Sequence, residues 1–439
     1  MTRTRTRRIA LASLLMCCGI SVVWGSYLQR SSPSWMQDFK AVYYGARCLT
    51  QHSDPYKQNE FLRVYRADGG EFPSGPFQLQ VFLRAVPVCT NLPATLLIVA
   101  PFSILACWPA QILWMILTAG AYLLAAFLMW RLAENHAPGI SLLLICMVLA
   151  NSEILFSGGN LAGIAVSLCV VAVWCFLEER FVPAGVLCLA VSLAIKPHDA
   201  GLVWLYFLLA GGVCRKRALQ TLALNAMLVL AAVLWVTPIA PHWMGELSSN
   251  LMATSAPGAI NAPGPSSISF RRSNMLIDLQ AVISVFWDDP RIYNPVSYLV
   301  CGALLLIGAI RTLRSRFSPP RAWLALAAIA ALTMLPVYHR QYDAKLLLLT
   351  VPACAMLWAE GGLIGWIAIV LNTAGIVVTG DIFSAVLLIL ADHLHVSMAG
   401  LSGQIVTVLL TQPAPLILLA IGIFYLWVYV RRDAHRGLP

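Results

Sequence analysis

The chain has 439 residues, 59% of them hydrophobic and 11% charged, with a formal net charge of +10. That balance lies outside the range of soluble globular proteins. The charge does not mark a nucleic-acid binder either: fourteen of the 29 Lys and Arg stand in four short clusters beside apolar runs, at 3–8, 215–217, 311–321 and 431–436, the pattern of cytoplasmic loops under the positive-inside rule.

The first element, "IALASLLMCCGISVVWGSYL" after "MTRTRTRR", has the basic flank and apolar core of an export signal. Its apolar run exceeds a signal h-region and no A-x-A-like site closes it, so an uncleaved first helix is expected. With the basic clusters inside, the long loops 29–92 and 238–292 and the short "YHRQYD" fall outside, the periplasmic face of a bacterial inner membrane.

In the first loop, "MQDFKAVYYGARCL" spaces Phe39, Val42, Tyr43, Ala46 and Leu49 on one helical face, which predicts a helix lying on the interface. Asp38 at its start is either a helix cap or a general base kept ionised by the helix dipole. In "HSDPY" that follows, Asp54 reads as a turn residue and Tyr56 as an interfacial aromatic. Cys48 and Cys89 share this loop, where oxidation is permitted. A bond between them is open, whereas most of the 12 cysteines fall within apolar segments.

Continuous apolar runs without strict alternation indicate helices rather than barrel strands. They are expected near 9–28, 93–107, 110–130, 140–156, 161–177, 184–195, 199–213, 218–237, 293–310, 322–336, 344–359, 361–379 and 412–430. The fold class is thus an all-α polytopic membrane protein of about 11 to 13 transmembrane helices, one domain over 1–439. Segments 93–107, 184–195 and 199–213 are short, as for broken or re-entrant helices lining a wet or buried site. Parity leaves "SGGN" (157–160) on either face; treating 184–195 and 199–213 as a hairpin puts it outside with the other polar interruptions.

Those interruptions carry the chemistry. "AIKPHDAG" supplies Lys196, His198 and Asp199; "SFRRSN" supplies Arg271, Arg272 and Asn274; "YHRQYDAK" supplies His339, Arg340, Asp343 and Lys345. Ionisable groups at membrane depth are functional candidates, and arginine's planar fork suits phosphate; snorkelling to headgroups would explain any one cluster. No "GxGxxG", Walker or "HExxH" pattern is present, so no nucleotide-binding α/β domain is expected. His393 and His395 of "ADHLH", two apart, do not share a helix face, and neither metal nor cofactor is expected. An acid able to take a hydroxyl proton, opposed by cations able to hold a departing phosphate, fits transfer from a lipid-phosphate donor.

Several stretches occur in the order of a known family. "DFKAVYYGARCLTQHSDPY", "NLPATLLIVAPFSILACWPAQILW", "SGGNLAGIAV", "AGVLCLAVSLAIKPHDAG" and "YHRQYDAKLLLL" together resemble glycosyltransferase family 87 of the GT-C superfamily, polyprenyl-phosphate-sugar dependent enzymes that include mannosyltransferases. The resemblance implies a GT-C helical bundle and inverting transfer of a sugar, mannose in the best-known case, to an acceptor hydroxyl of a glycolipid or glycan at the outer face. It implies Asp38 as the base, with Lys196, His339 and Arg340 near the donor phosphate. Asn160, His198, Tyr43, Tyr56, Arg271, Arg272 and Asp343 complete the expected substrate contacts. The chain departs from the family in reading "GGN" for Gly-Gln-x-Asn, and in a longer stretch between "DPY" and "NLP". The rival function is a lipid-linked sugar flippase or transporter using the same cations; pseudo-symmetric halves would favour it, and none is evident.

Overall fold

The structure, a computed structural model, describes residues 3–29, 35–267, 276–391 and 400–432. Among these the chain is helical, with a single isolated antiparallel bridge between Leu276 and Arg340. Helix α1 (Arg3–Gln29) is followed by a cap of short helices, α2 (Gln37–Thr50), α3 (Gln58–Ala67), α4 (Pro76–Ala85) and α5 (Pro93–Val99). Then come α6 (Cys107–Ala133), α7 (Pro138–Ala150), the short α8 (Glu153–Gly158), α9 (Ala162–Leu177), α10 (Val182–Ile195), α11 (Pro197–Leu209) and α12 (Gly212–Val236). Beyond α13 (Trp243–Ser255) and α14 (Leu279–Phe286) lie α15 (Pro290–Arg314), α16 (Pro319–Leu332), α17 (Val351–Glu360), α18 (Gly362–Val378), α19 (Asp381–Ala391), α20 (Gly400–Thr411) and α21 (Pro413–Arg431).

Five helices, α1, α6, α12, α15 and α21, are each long and apolar enough to cross a membrane. A sixth crossing arises if α18 and α19, bent by 60°, are one broken span. Three of these helices face outward: Met16 and Val23 of α1, Leu230 and Leu234 of α12, and Leu299 and Leu306 of α15 are all exposed. Rows of bare aliphatic side chains on several helices require an apolar solvent. The shorter α9, by contrast, is buried over most of its length against α6 and α10. Prolines in the first turn start α7, α10, α11, α15, α16 and α21, where a missing N–H costs no hydrogen bond.

Several expectations need correction. The segment expected at 93–107 is α5 plus a 3-10 turn over Ala100–Ile104, too short for a crossing at 1.5 Å per residue. The sequence reading left 380–411 without helices, yet α19 and α20 lie there, and α3, α4 and α13 occupy the loops. Cys48 and Cys89, whose pairing the sequence left open, are both free and buried. His393 and His395, like Arg271, Arg272 and Asn274, lie outside the described residues.

Candidate active site

The site is built first by a close approach of two backbones. Helix α8 ends at Gly159, whose φ of 64° is left-handed, a region that favours glycine. An added Cβ there would lie 2.8 Å from both Met36 Cε and Phe39 Cβ, so only glycine lets the turn seat against the start of α2. The indole of Trp114 donates to the Gly159 carbonyl at 3.1 Å, and the Met36 amide donates to the Ser157 carbonyl at 2.7 Å. Met36 is itself left-handed, at φ 51°, a conformation a long side chain adopts only where its surroundings impose it.

This turn delivers Asn160 to Asp38. The Asn160 side-chain oxygen accepts from the Ala162 amide at 2.8 Å, which fixes the amide's orientation and aims Nδ2 at Asp38 Oδ2, 2.7 Å away. The cap reading of Asp38 is not what the structure has. The N-cap of α2 is Met36, which makes no side-chain cap bond, and Asp38 is a half-buried first-turn residue whose carboxylate faces the Asn160 turn. The turn and Asp38 therefore lie together.

Segment 335–343 carries a second group of polar side chains. It is pinned by the Ile277 amide donating to the His339 carbonyl at 3.0 Å and the Leu279 amide to the Leu335 carbonyl at 2.9 Å. Arg340 lies over the Tyr338 ring at 5.5 Å, and its Nη2 donates to the Ile260 carbonyl at 3.1 Å and Asn261 Oδ1 at 3.2 Å. Burial opposes the Arg340 charge, but Tyr338, Tyr342 and Asp38 outweigh it and raise the pKa. Asp38 is thus within electrostatic reach of this guanidinium.

Behind it, the break between α10 and α11 places Lys196 in non-helical geometry (φ −141°, ψ 84°). Its ammonium bonds Asp343, lies 3.5 Å from Asp199 Oδ2 and sits 5.2 Å from the Tyr342 ring centroid. Burial works against the charge, yet Asp199 and Asp343 hold Lys196 protonated. Asp343 also accepts the Arg340 amide at 2.9 Å. His339, fully buried, has Nε2 3.2 Å from Asp199 Oδ1, and His198 stacks edge-on against it with ring centroids 4.9 Å apart. Burial lowers the His339 pKa, but the Asp199 contact and the Asp343 charge outweigh it, so it is raised.

Asp38 and Asn160 are hydrogen-bonded, the Asp38 charge acts on Arg340, and Lys196, His198, Asp199, His339 and Asp343 form one polar network joined to Arg340 through its backbone amide. Asp343 is the counter-ion of Lys196. Tyr43 and Tyr56 give their hydroxyls to the Leu105 and Asn91 carbonyls, at 2.7 and 3.0 Å, and so hold the cap together. Three participants escaped the sequence reading's site: Tyr338, Tyr342 and, as the hub of the ion pairs, Asp199. Their signal was present in "YHRQYD" and "KPHD", where polar and aromatic residues crowd an apolar break.

A sequence profile described as "Glycosyltransferase family 87" matches residues 90–336, more than half of the chain. The match spans Asn160, Lys196 and His198 but begins after Asp38 and ends before His339 and Arg340. Searches of curated proteins and of solved structures returned no match.

Proposed function

Because this chain belongs to glycosyltransferase family 87 and is therefore a membrane glycosyltransferase, we propose that it transfers a sugar, mannose being the first candidate, from a polyprenyl-phosphate donor to an acceptor hydroxyl on the periplasmic face. The single observation that carries this reading is a half-buried carboxylate, Asp38, held by Asn160 at 2.7 Å within electrostatic reach of Arg340. In this reading Asp38 is the base and Arg340 the phosphate-binding cation.

In this mechanism the acceptor oxygen attacks the anomeric carbon as its proton passes to Asp38, and the bond from carbon to phosphate oxygen breaks with its electron pair leaving on the phosphate. One displacement inverts the anomeric centre. The departing phosphate gains a second negative charge, so a preoriented cation binds it more tightly than the donor it came from. Arg340 is the residue assigned to that charge; its fork is already oriented by Ile260 and Asn261. Lys196 and His339, paired with Asp343 and Asp199, keep the segment that carries Arg340 positioned. A cleft of about 530 Å³ lined by Gln58, Arg84, Thr254 and Ile260 adjoins the Arg340 anchor through Ile260 and is assigned to the acceptor. The test is transfer by purified protein from synthetic polyprenyl-phosphate sugars to a panel of glycolipids; absence of transfer from every such donor, with binding intact, would favour a flippase instead.

A further inference from the structure

We propose that His198, Asp199 and His339 form a binding site for a divalent transition-metal ion of the zinc or manganese class. One donor atom from each of these residues lies within 4.8 Å of the others. The spacing along the chain hides this, since two ligands are neighbours and the third follows 140 positions later.

The buried hydrogen bonding points to a shared cation. His339 Nδ1 lies 2.8 Å from the Val337 carbonyl, which can only accept, so Nδ1 carries the proton and Nε2 of the neutral ring keeps its lone pair. That is the orienting contact of metal-binding histidines. Nε2 is aimed at Asp199 Oδ1, 3.2 Å away, while Asp199 Oδ2 lies 3.5 Å from the Lys196 ammonium without a hydrogen bond to it. His339 is 0% exposed and Asp199 1%, so what stands between Nε2 and the carboxylate is a proton or a metal ion rather than bulk water. His198 Nε2 stands 3.8 Å from the same Asp199 oxygen.

The distances suit an ion. Ligands at about 2.0 to 2.2 Å from a tetrahedral zinc are about 3.3 to 3.6 Å from one another, so the 3.2 and 3.8 Å pairs lie within a few tenths of an ångström of that spacing. The remaining pair lies within 4.8 Å. Two imidazoles and one carboxylate favour zinc or manganese over magnesium or calcium. His198, with 38% of its side chain exposed, leaves an entry path and an open position for an oxygen ligand.

Charge gives the ion a purpose, a clause that rests on the transferase reading. With neutral histidines, the carboxylates of Asp38, Asp199 and Asp343 outnumber the cations of Lys196 and Arg340, a poor receptor for phosphate. A divalent ion reverses the sign of the region behind Arg340. A proton on His339 would achieve part of this, and experiment separates the two occupants.

Tag-free wild-type protein, purified without chelator, is subjected to elemental analysis, then stripped with EDTA and titrated with zinc or manganese while thermal unfolding is followed. The expected result is close to one ion per chain and a rise of several degrees in Tm on restoring it. His198→Ala loses both, His198→Cys regains zinc through its thiolate, and His136→Ala, beside Trp323, behaves as wild type. Substoichiometric metal with no Tm response, or a response equal in wild type and His198→Ala, overturns the site. Transfer measured in parallel keeps the readings apart: full transfer by metal-free protein removes the ion's role at the phosphate and leaves the transferase standing, whereas a bound ion with no transfer does the reverse.

Discussion

Replacing Asn160 by Asp changes one group at the point where the proposed base is held. The Asn160 amide now donates to Asp38 Oδ2 at 2.7 Å; the substituted carboxylate sets a second negative charge there while its other oxygen still accepts from the Ala162 amide. Two unit charges about 4 Å apart interact by about 4 kcal/mol at an effective dielectric constant of about 20, equivalent to about 3 pH units. Solvent screening at half-buried Asp38 reduces this to about 1 to 2 units. The pair then keeps a shared proton to higher pH. The acid limb of kcat/KM should move upward by that amount, with activity recovered on the alkaline side and donor affinity little changed. The assay is radiolabelled or fluorescent polyprenyl-phosphate sugar transfer from pH 5 to 9. An unshifted profile at wild-type rate would refute the reasoning, because it would mean that Asp38 need not be ionised or does not face Asn160.

Other perturbations read the same geometry. Arg340→Lys, which keeps the charge but loses the fork held by Ile260 and Asn261, should lower kcat about 10- to 100-fold, the equivalent of about 1.4 to 2.7 kcal/mol, with a smaller change in KM; steady-state kinetics decides it. Lys196→Met strands Asp343 and Asp199, which should cost about 3 to 5 kcal/mol and show as a large fall in Tm, part of which Lys196→Met with Asp343→Asn restores. Gly159→Ala meets both a left-handed φ and the 2.8 Å contacts; overpacking of this kind costs about 1 to 3 kcal/mol, so Tm and transfer should fall together. Cys89 is buried, which pushes its thiol up to about 12, so maleimide labelling mapped to its peptide should be slow in native protein and appear on unfolding.

The bundle was legible because its apolar runs are long and Pro and Gly punctuate them. The reading of "MQDFKAVYYG" as a helix with a buried Phe39, Val42, Tyr43 face matches α2. What one dimension could not supply was pairing at a distance: Lys196 meets Asp343 from 147 residues away, and Asn160 meets Asp38 from 122. Sequence spacing marks a polar break but not which acid neutralises which base there. Asp199 was therefore visible as one member of "KPHD" and not as the hub. Helices α19 and α20 were missed for a different reason: the apolar run does not stop cleanly at 379 but bends by 60° around Gly380 and Asp381, where a Cβ on Gly380 would strike Asn151 at 2.7 Å.

The most direct test of the central claim is Asp38→Asn in purified protein, with donor binding and sugar transfer measured on the same preparation. General-base removal predicts a fall in turnover of about 10² to 10⁴ with donor binding retained. Turnover at the wild-type rate would contradict the account, since no other carboxylate is placed in it to receive the acceptor's proton.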